Sequence, residues 1–125
     1  MKKLIWISSS YKDFMEFPPE VRHAMGYALY YAQLGRKHEH TKILSGMGNA
    51  GVAEVRENDS RGTYRVIFTV EMNDFIFVLH SFQKKSKSGI STPKQELELL
   101  NKRVKEARAL YTKIQEGGSN ESKKA

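Results

Sequence analysis

Two arginines, a histidine and a lysine are the side chains of this sequence whose types and positions suit joint chemistry: Arg56, Arg65, His80 and Lys84. They fall in three segments of strand character, Val52–Glu57, Thr63–Glu71 and Asp74–Phe82, separated by the turn-rich Asn58-Asp59-Ser60-Arg61-Gly62 and by Met72-Asn73. Side chains alternate across a strand, so Tyr64, Val66, Phe68 and Val70 form a core face, while Arg65, Ile67, Thr69 and Glu71 form a mixed one. A tight turn at Met72-Asn73 sets Arg65 opposite His80 and Phe68 opposite Phe77. The first hairpin brings Arg56 across from residues 63–65, and Lys84 follows His80 on the same side. Cations held side by side repel unless an anion visits, and a guanidinium fork matches two phosphate oxygens. Lys85 and Lys87 extend the basic patch as further substrate-binding candidates, and His80 titrates near neutrality. The bland alternative is that Arg56 pairs with Glu54 or Glu57 and that His80 is a satisfied, half-buried histidine. Spacing alone leaves both open.

Other motifs carry less. His38-Glu39-His40 lacks further ligands and reads as surface loop. Ser45-Gly46-Met47-Gly48 is followed by no Gly-Lys-Ser/Thr, so it is no P-loop, and there is no Gly-x-Ser-x-Gly elbow. Without cysteine there is no disulfide framework, thiol nucleophile or Cys-based zinc site. No metal or cofactor is expected. Tyr27, Tyr30 and Tyr31 read as packing residues.

The elements that must position the cluster read in order. Lys3–Ser8 is a short strand, and Tyr11–Phe17 allows one or two helical turns. Pro19 and Glu20 start a helix of about 16 residues, whose apolar positions recur at helical spacing until Gly35. Residues 36–51 read as loop. After the three-stranded meander, Thr92 caps a last helix over 93–116, with Glu96 closing the capping box, and 117–125 is a disordered tail. The order β, α, α, meander, α predicts one α+β domain over 3–116 with two layers.

Charge points to the partner. Of 21 basic and 14 acidic residues, residues 83–125 hold 11 and 5, a net of +6 out of the total of +7. A field concentrated in one third of the chain favours a polyanion such as nucleic acid or a ribosome. The opening apolar stretch, Leu4–Ile7, is too short for a signal segment, and no run is long enough to span a bilayer, so a cytoplasmic protein without a membrane partner is expected.

Several segments look familiar together: Leu44-Ser45-Gly46, Gly51-Val52-Ala53-Glu54-Val55-Arg56, Gly62-Thr63-Tyr64-Arg65-Val66, Leu79-His80-Ser81-Phe82-Gln83-Lys84-Lys85-Ser86 and Thr92-Pro93. Over residues 3–110 the chain resembles the phage-derived Gp49-like family, which holds HigB-type toxins within the RelE/ParE toxin superfamily. The resemblance implies a RelE-like fold and a type II toxin–antitoxin module. Its partner would be a helix-turn-helix antitoxin, joined in a hetero-oligomer. The implied activity is ribosome-dependent, metal-independent cleavage of mRNA. Arg65 matches the superfamily's phosphate-binding arginine, Arg56 the Glu-x-Arg of the group, and Lys84 and Lys85 the basic positions after the last strand. RelE's C-terminal tyrosine has no counterpart, so His80 or a lysine would serve instead. The resemblance makes Arg65→Ala a change that abolishes activity and spares the fold. ParE-like relatives that inhibit DNA gyrase without cutting RNA are the alternative, as is a nucleic-acid-binding phage accessory protein. An ion-paired arginine cluster would favour a binder over a nuclease.

Overall fold

The computed structural model of the protein describes residues 1–44, 51–84 and 94–124. Lys85 and Lys87, like Thr92 of the expected cap, lie outside the described residues. Eight elements follow in order: β1 (Lys3–Trp6), α1 (Ser10–Met15), α2 (Pro19–Gln33), β2 (Thr41–Ile43), β3 (Val52–Asp59), β4 (Gly62–Thr69), β5 (Phe75–Lys84) and α3 (Lys94–Lys124). The strands form one sheet in the order β1-β5-β4-β3-β2, with β1 parallel to β5 and the other pairs antiparallel. This is the expected α+β order with one addition. β2 sits in the stretch that reads as loop, because three residues carry too little alternation to be recognised.

Helices cover both faces of the sheet, where the sequence suggests two layers. α1 and α2 bury Phe14, Phe17, Val21, Met25 and Leu29 against Val55, Tyr64, Val66, Phe68 and Val78. α3 lays Leu100, Val104 and Ala107 on Ile67, Phe77 and Leu79 of the opposite face. The face that reads as mixed is thus apolar at one end, where α3 packs, and charged at the other. Each large side chain buried this way stabilises by about 1.5–3 kcal/mol. α2 starts with Pro19 in its first turn and Glu20 beside its positive end, and it stops before Gly35, whose φ of 76° only glycine takes cheaply. On its outer face Tyr27 and Tyr30 are about half exposed and pack ring against ring, Tyr27 also on Tyr31, without entering the core. α3 continues past Glu116 to Lys124, through the stretch that reads as a tail. Among the residues of α3 whose side chains are described, Ile114 is the last packed on the sheet-facing cluster.

Register decides which side chains meet. In the first hairpin Asp59 pairs with Gly62 across Ser60-Arg61, which sets Arg56 directly opposite Arg65, as expected. The second hairpin departs from expectation. Its turn spans more than Met72-Asn73, Phe68 pairs with Val78 rather than Phe77, and an irregularity follows before Ile67 pairs with His80. Leu79 is the extra residue of a β-bulge. Arg65 therefore faces Phe82, not His80, yet His80 and Arg65 still share a face because the bulge restores the phase. Among the described residues no helix is long and apolar enough to cross a membrane.

Candidate functional site

Arg56 and Arg65 occupy directly paired positions on β3 and β4, and Glu54 stands two residues before Arg56 on the same face. Arg56 Nε donates to Glu54 Oε1 at 3.0 Å, and Arg65 Nη1 lies 3.5 Å from Glu54 Oε2. Glu54 and Arg65 are 1% and 2% exposed, whereas the Arg56 side chain is 35% exposed. One buried carboxylate thus serves two guanidiniums, and the trio keeps a net charge of +1. Arg65 also lies over the Phe82 ring, 6.0 Å from its centroid. Burial pulls its pKa down from the ordinary arginine value. Glu54 opposes that pull and Arg56 adds to it. Lys84 pairs with Thr63 at the end of the same strands and is half-buried.

His80 is set apart from this group. It is 7% exposed and stacks on Phe82, with ring centroids 4.6 Å apart. Arg103 Nη1 approaches His80 Nδ1 at 3.2 Å, and arginine only donates, so Nδ1 carries the lone pair. Nε2 therefore bears the proton and donates to Glu96 Oε2 at 2.5 Å. Burial holds the His80 pKa below its ordinary value, Glu96 resists that shift, and Arg103 reinforces it. Arg103, itself 8% exposed, also donates to the Leu79 carbonyl at 2.9 Å and to Ser9 Oγ at 3.1 Å, and Ser9 donates to Asp13 at 2.9 Å. Both ring nitrogens are engaged in fastening α3 to the sheet. The cleft beside the ring is lined by Asp13 and Glu16 as well as Phe17 and Gln83, a charge that turns phosphate away.

The structure thus brings Arg56, Arg65 and Lys84 onto one end of a sheet face and places His80 next to them in a separate network. Arg103 and Ser9 are polar partners that sequence reasoning missed, and Glu96, read as closing the capping box of the last helix, is bonded to His80. Glu96, Leu100, Arg103, Val104 and Ala107 recur at helical spacing on one stripe, and two polar members within an otherwise apolar stripe are the signal that would have marked them. His40 bonds Glu57 at 2.8 Å, so one histidine of His38-Glu39-His40 is engaged in a hydrogen bond. Among the described residues no group of three His, Asp or Glu side chains could hold a metal ion. A cavity of about 190 Å³ lies elsewhere, between α2 and the sheet, lined by Ala28, Ala32, Thr41 and Phe68.

Residues 12–105 match the family described as phage derived protein Gp49-like, well over half of the 125 residues. Among solved structures, the chain is similar to one in the crystal structure of the toxin–antitoxin complex RelBE2 from Mycobacterium tuberculosis. The TM-score is 0.46 at 18% identity, and the match covers 68% of this chain and 93% of that one. No curated protein matches.

Proposed function

The chain belongs to the phage-derived Gp49-like family, and from that membership we propose that it is the toxin of a type II toxin–antitoxin pair that cleaves messenger RNA on the ribosome. Its partner is a small helix-turn-helix antitoxin encoded beside it, and its place of action is the cytoplasm. The observation that carries the RNA reading is the exposed guanidinium of Arg56, which stands directly across from Arg65 on β4. That arrangement keeps a surplus cation at the exposed guanidinium of Arg56, on the same sheet face as Lys84 at the end of β5, with β4 between their strands. In the reaction the ribose 2′-oxygen loses its proton and attacks the adjacent phosphorus. The bond from phosphorus to the 5′ oxygen breaks, that oxygen takes a proton, and a 2′,3′-cyclic phosphate remains. The extra negative charge on the phosphoryl oxygens is what Arg56 is placed to stabilise, with Arg65 behind it. Lys84, at the end of β5 on the same sheet face as Arg65, is the candidate for a second cation. Lys85 and Lys87 follow it in the sequence as further candidate cations.

His80 fits a supporting role better than a proton carrier, since Arg103 and Glu96 already occupy its ring nitrogens. That engagement, together with the Arg56–Glu54 ion pair, favours a second reading: a toxin that binds its target, such as DNA gyrase, without cutting RNA. Single-turnover cleavage on programmed ribosomes, run beside a gyrase supercoiling assay, separates the two. The nuclease reading expects growth arrest with mRNA cut in the ribosomal A site, and Arg56→Ala slowed about 100-fold or more in a protein that stays folded, its melting temperature lowered by the lost bond to buried Glu54. Growth arrest with intact mRNA and inhibited supercoiling would establish the binder. Normal growth at verified soluble expression would remove the toxin reading altogether.

A further inference from the structure

The reaction outlined above makes no use of Glu54, although the fold spends a great deal on it. A carboxylate that is 1% exposed is costly to bury, and it cannot itself touch a polyanion. Its two oxygens face two different strands' arginines: Oε1 takes the Nε hydrogen of Arg56 at 3.0 Å, and Oε2 faces Arg65 Nη1 at 3.5 Å. An arginine fixed at Nε keeps both terminal nitrogens, and these are the ones that form a fork for two oxygens of a phosphate. Among the described residues, Arg56 has no other side-chain hydrogen bond or ion pair, and its side chain is 35% exposed. An unrestrained arginine wanders among many rotamers. One pinned at Nε by a buried acid presents its fork in one orientation before the substrate arrives.

We propose that Glu54 is a positioning residue: its buried carboxylate holds Arg56 by Nε and balances Arg65 behind it, so that the outer edge of the Arg56 guanidinium is preset to grip the attacked phosphate. This rests on the RNA-cleaving reading above. It also predicts the opposite sign from charge counting. Glu54→Gln raises the net charge by one, so if charge alone mattered the variant would engage ribosome-bound RNA more tightly and cut it at least as fast. If Glu54 positions Arg56, the amide loses the charged acceptor, sets its NH2 group against one of two guanidiniums that now repel each other, and lets the fork swing away.

The test is single-turnover cleavage of mRNA on programmed ribosomes, with the toxin titrated so that maximal rate and half-saturation are read separately, and with a thermal melt for each variant. Glu54→Gln should lower the maximal rate about 10- to 100-fold while half-saturation stays put or falls. Glu54→Asp, which retracts the carboxylate by one methylene, should fall between. Arg56→Lys keeps the charge and leaves the Glu54–Arg65 contact in place but has no fork, so it should lose rate to a similar degree while staying folded, its melt lowered only by the lost Nε bond to Glu54. Should Glu54→Gln fail to fold, the last two variants decide the matter, because parental rates in both would overturn the proposal. A Glu54→Gln protein that folds and cuts as fast as the parent overturns it as well. A parent that arrests growth without cutting mRNA instead overturns the nuclease reading and this inference with it, so the two failures are told apart.

Discussion

Arg65→Ala reaches further than its position in a charged cluster suggests. As a phosphate ligand on an exposed face, its loss would spare the fold. At 2% exposure, packed against Glu54 and Phe82, it belongs to the interior instead. Removing one member of a buried ion pair strands the other and typically costs about 3–5 kcal/mol. Arg56 remains bonded to Glu54 and softens the loss, while the guanidinium's place over Phe82, worth about 0.5–1 kcal/mol, goes with it. The expected destabilisation is therefore about 3–4 kcal/mol. For a domain of this size each kcal/mol moves the melting temperature by roughly 3–5 °C, so the variant should melt roughly 10–20 °C below the parent. Chemical denaturation followed by circular dichroism, with the slope held common, gives the free energy directly. The double variant Glu54→Leu with Arg65→Met removes both buried charges and should recover most of the stability, since the cost lies in leaving one charge unpaired. An Arg65→Ala protein within about 1 kcal/mol of the parent would refute this, and would mean that Glu54 is content with Arg56 alone.

Two further outcomes follow from the His80 network. Burial depresses the His80 pKa, so the fold prefers the neutral ring; that stability is full above the ordinary value of 6.5 and is lost as pH falls below it. His40 is the reverse case: its bond to Glu57 raises its pKa, so its contribution is present in acid and lost as pH rises through the raised value. Urea midpoints at pH 7.5 and pH 5.5 should therefore change in opposite senses for His80→Gln and His40→Gln relative to the parent, and shifts of the same sign would contradict the assigned environments. Arg103→Met removes donors to the Leu79 carbonyl, His80 and Ser9 while keeping the apolar stem. It should cost about 2–4 kcal/mol and raise hydrogen exchange in the first turns of α3, and exchange confined to the distal end of the helix would show the anchor lies elsewhere.

Short-range signals carried much of the architecture into the sequence. Pro19 with Glu20 marks the start of α2, Gly35 marks its end, and the alternation from Tyr64 to Val70 separates the faces of β4. Long-range facts were not written there. Among the described residues β2 is paired as a strand with β3 alone, and three residues cannot announce a partner. Nor does the mixed composition of Arg65, Ile67 and Thr69 say that α3 will cover half of that face, because the apolar stripe of α3 fits either side of a sheet. The same limit applies to the site. Glu54 two residues before Arg56 was a visible candidate partner, but only the burial of that acid beside a second arginine tells that it serves both. Arg103 bonds groups 24, 23 and 94 positions away, a reach that no local pattern encodes.

The bulge at Leu79 explains why His80 and Arg65 share a face although Arg65 pairs with Phe82 and not with His80. The turn between β4 and β5 is longer than two residues, which shifts the start of β5 by an odd step and sends Ile76 and Val78, not Phe77, to the face of α1 and α2. Continued without interruption, that register would pair Val66 with His80 and drive the imidazole into an apolar core, with Ser81 opposite Arg65. The extra residue reverses the phase: Leu79 packs with Phe77 under α3, and His80 follows on that same side, within reach of Glu96 and Arg103. Phe82 then falls opposite Arg65 and stacks on His80, which joins the arginine pair to the α3 anchor through one ring. A bulge leaves ladder groups unpaired, and here the Leu79 carbonyl takes its hydrogen bond from Arg103. The irregularity is therefore built into the site: one inserted residue turns His80 out of the core, and the arginine that satisfies its carbonyl is the one that fixes the histidine's tautomer.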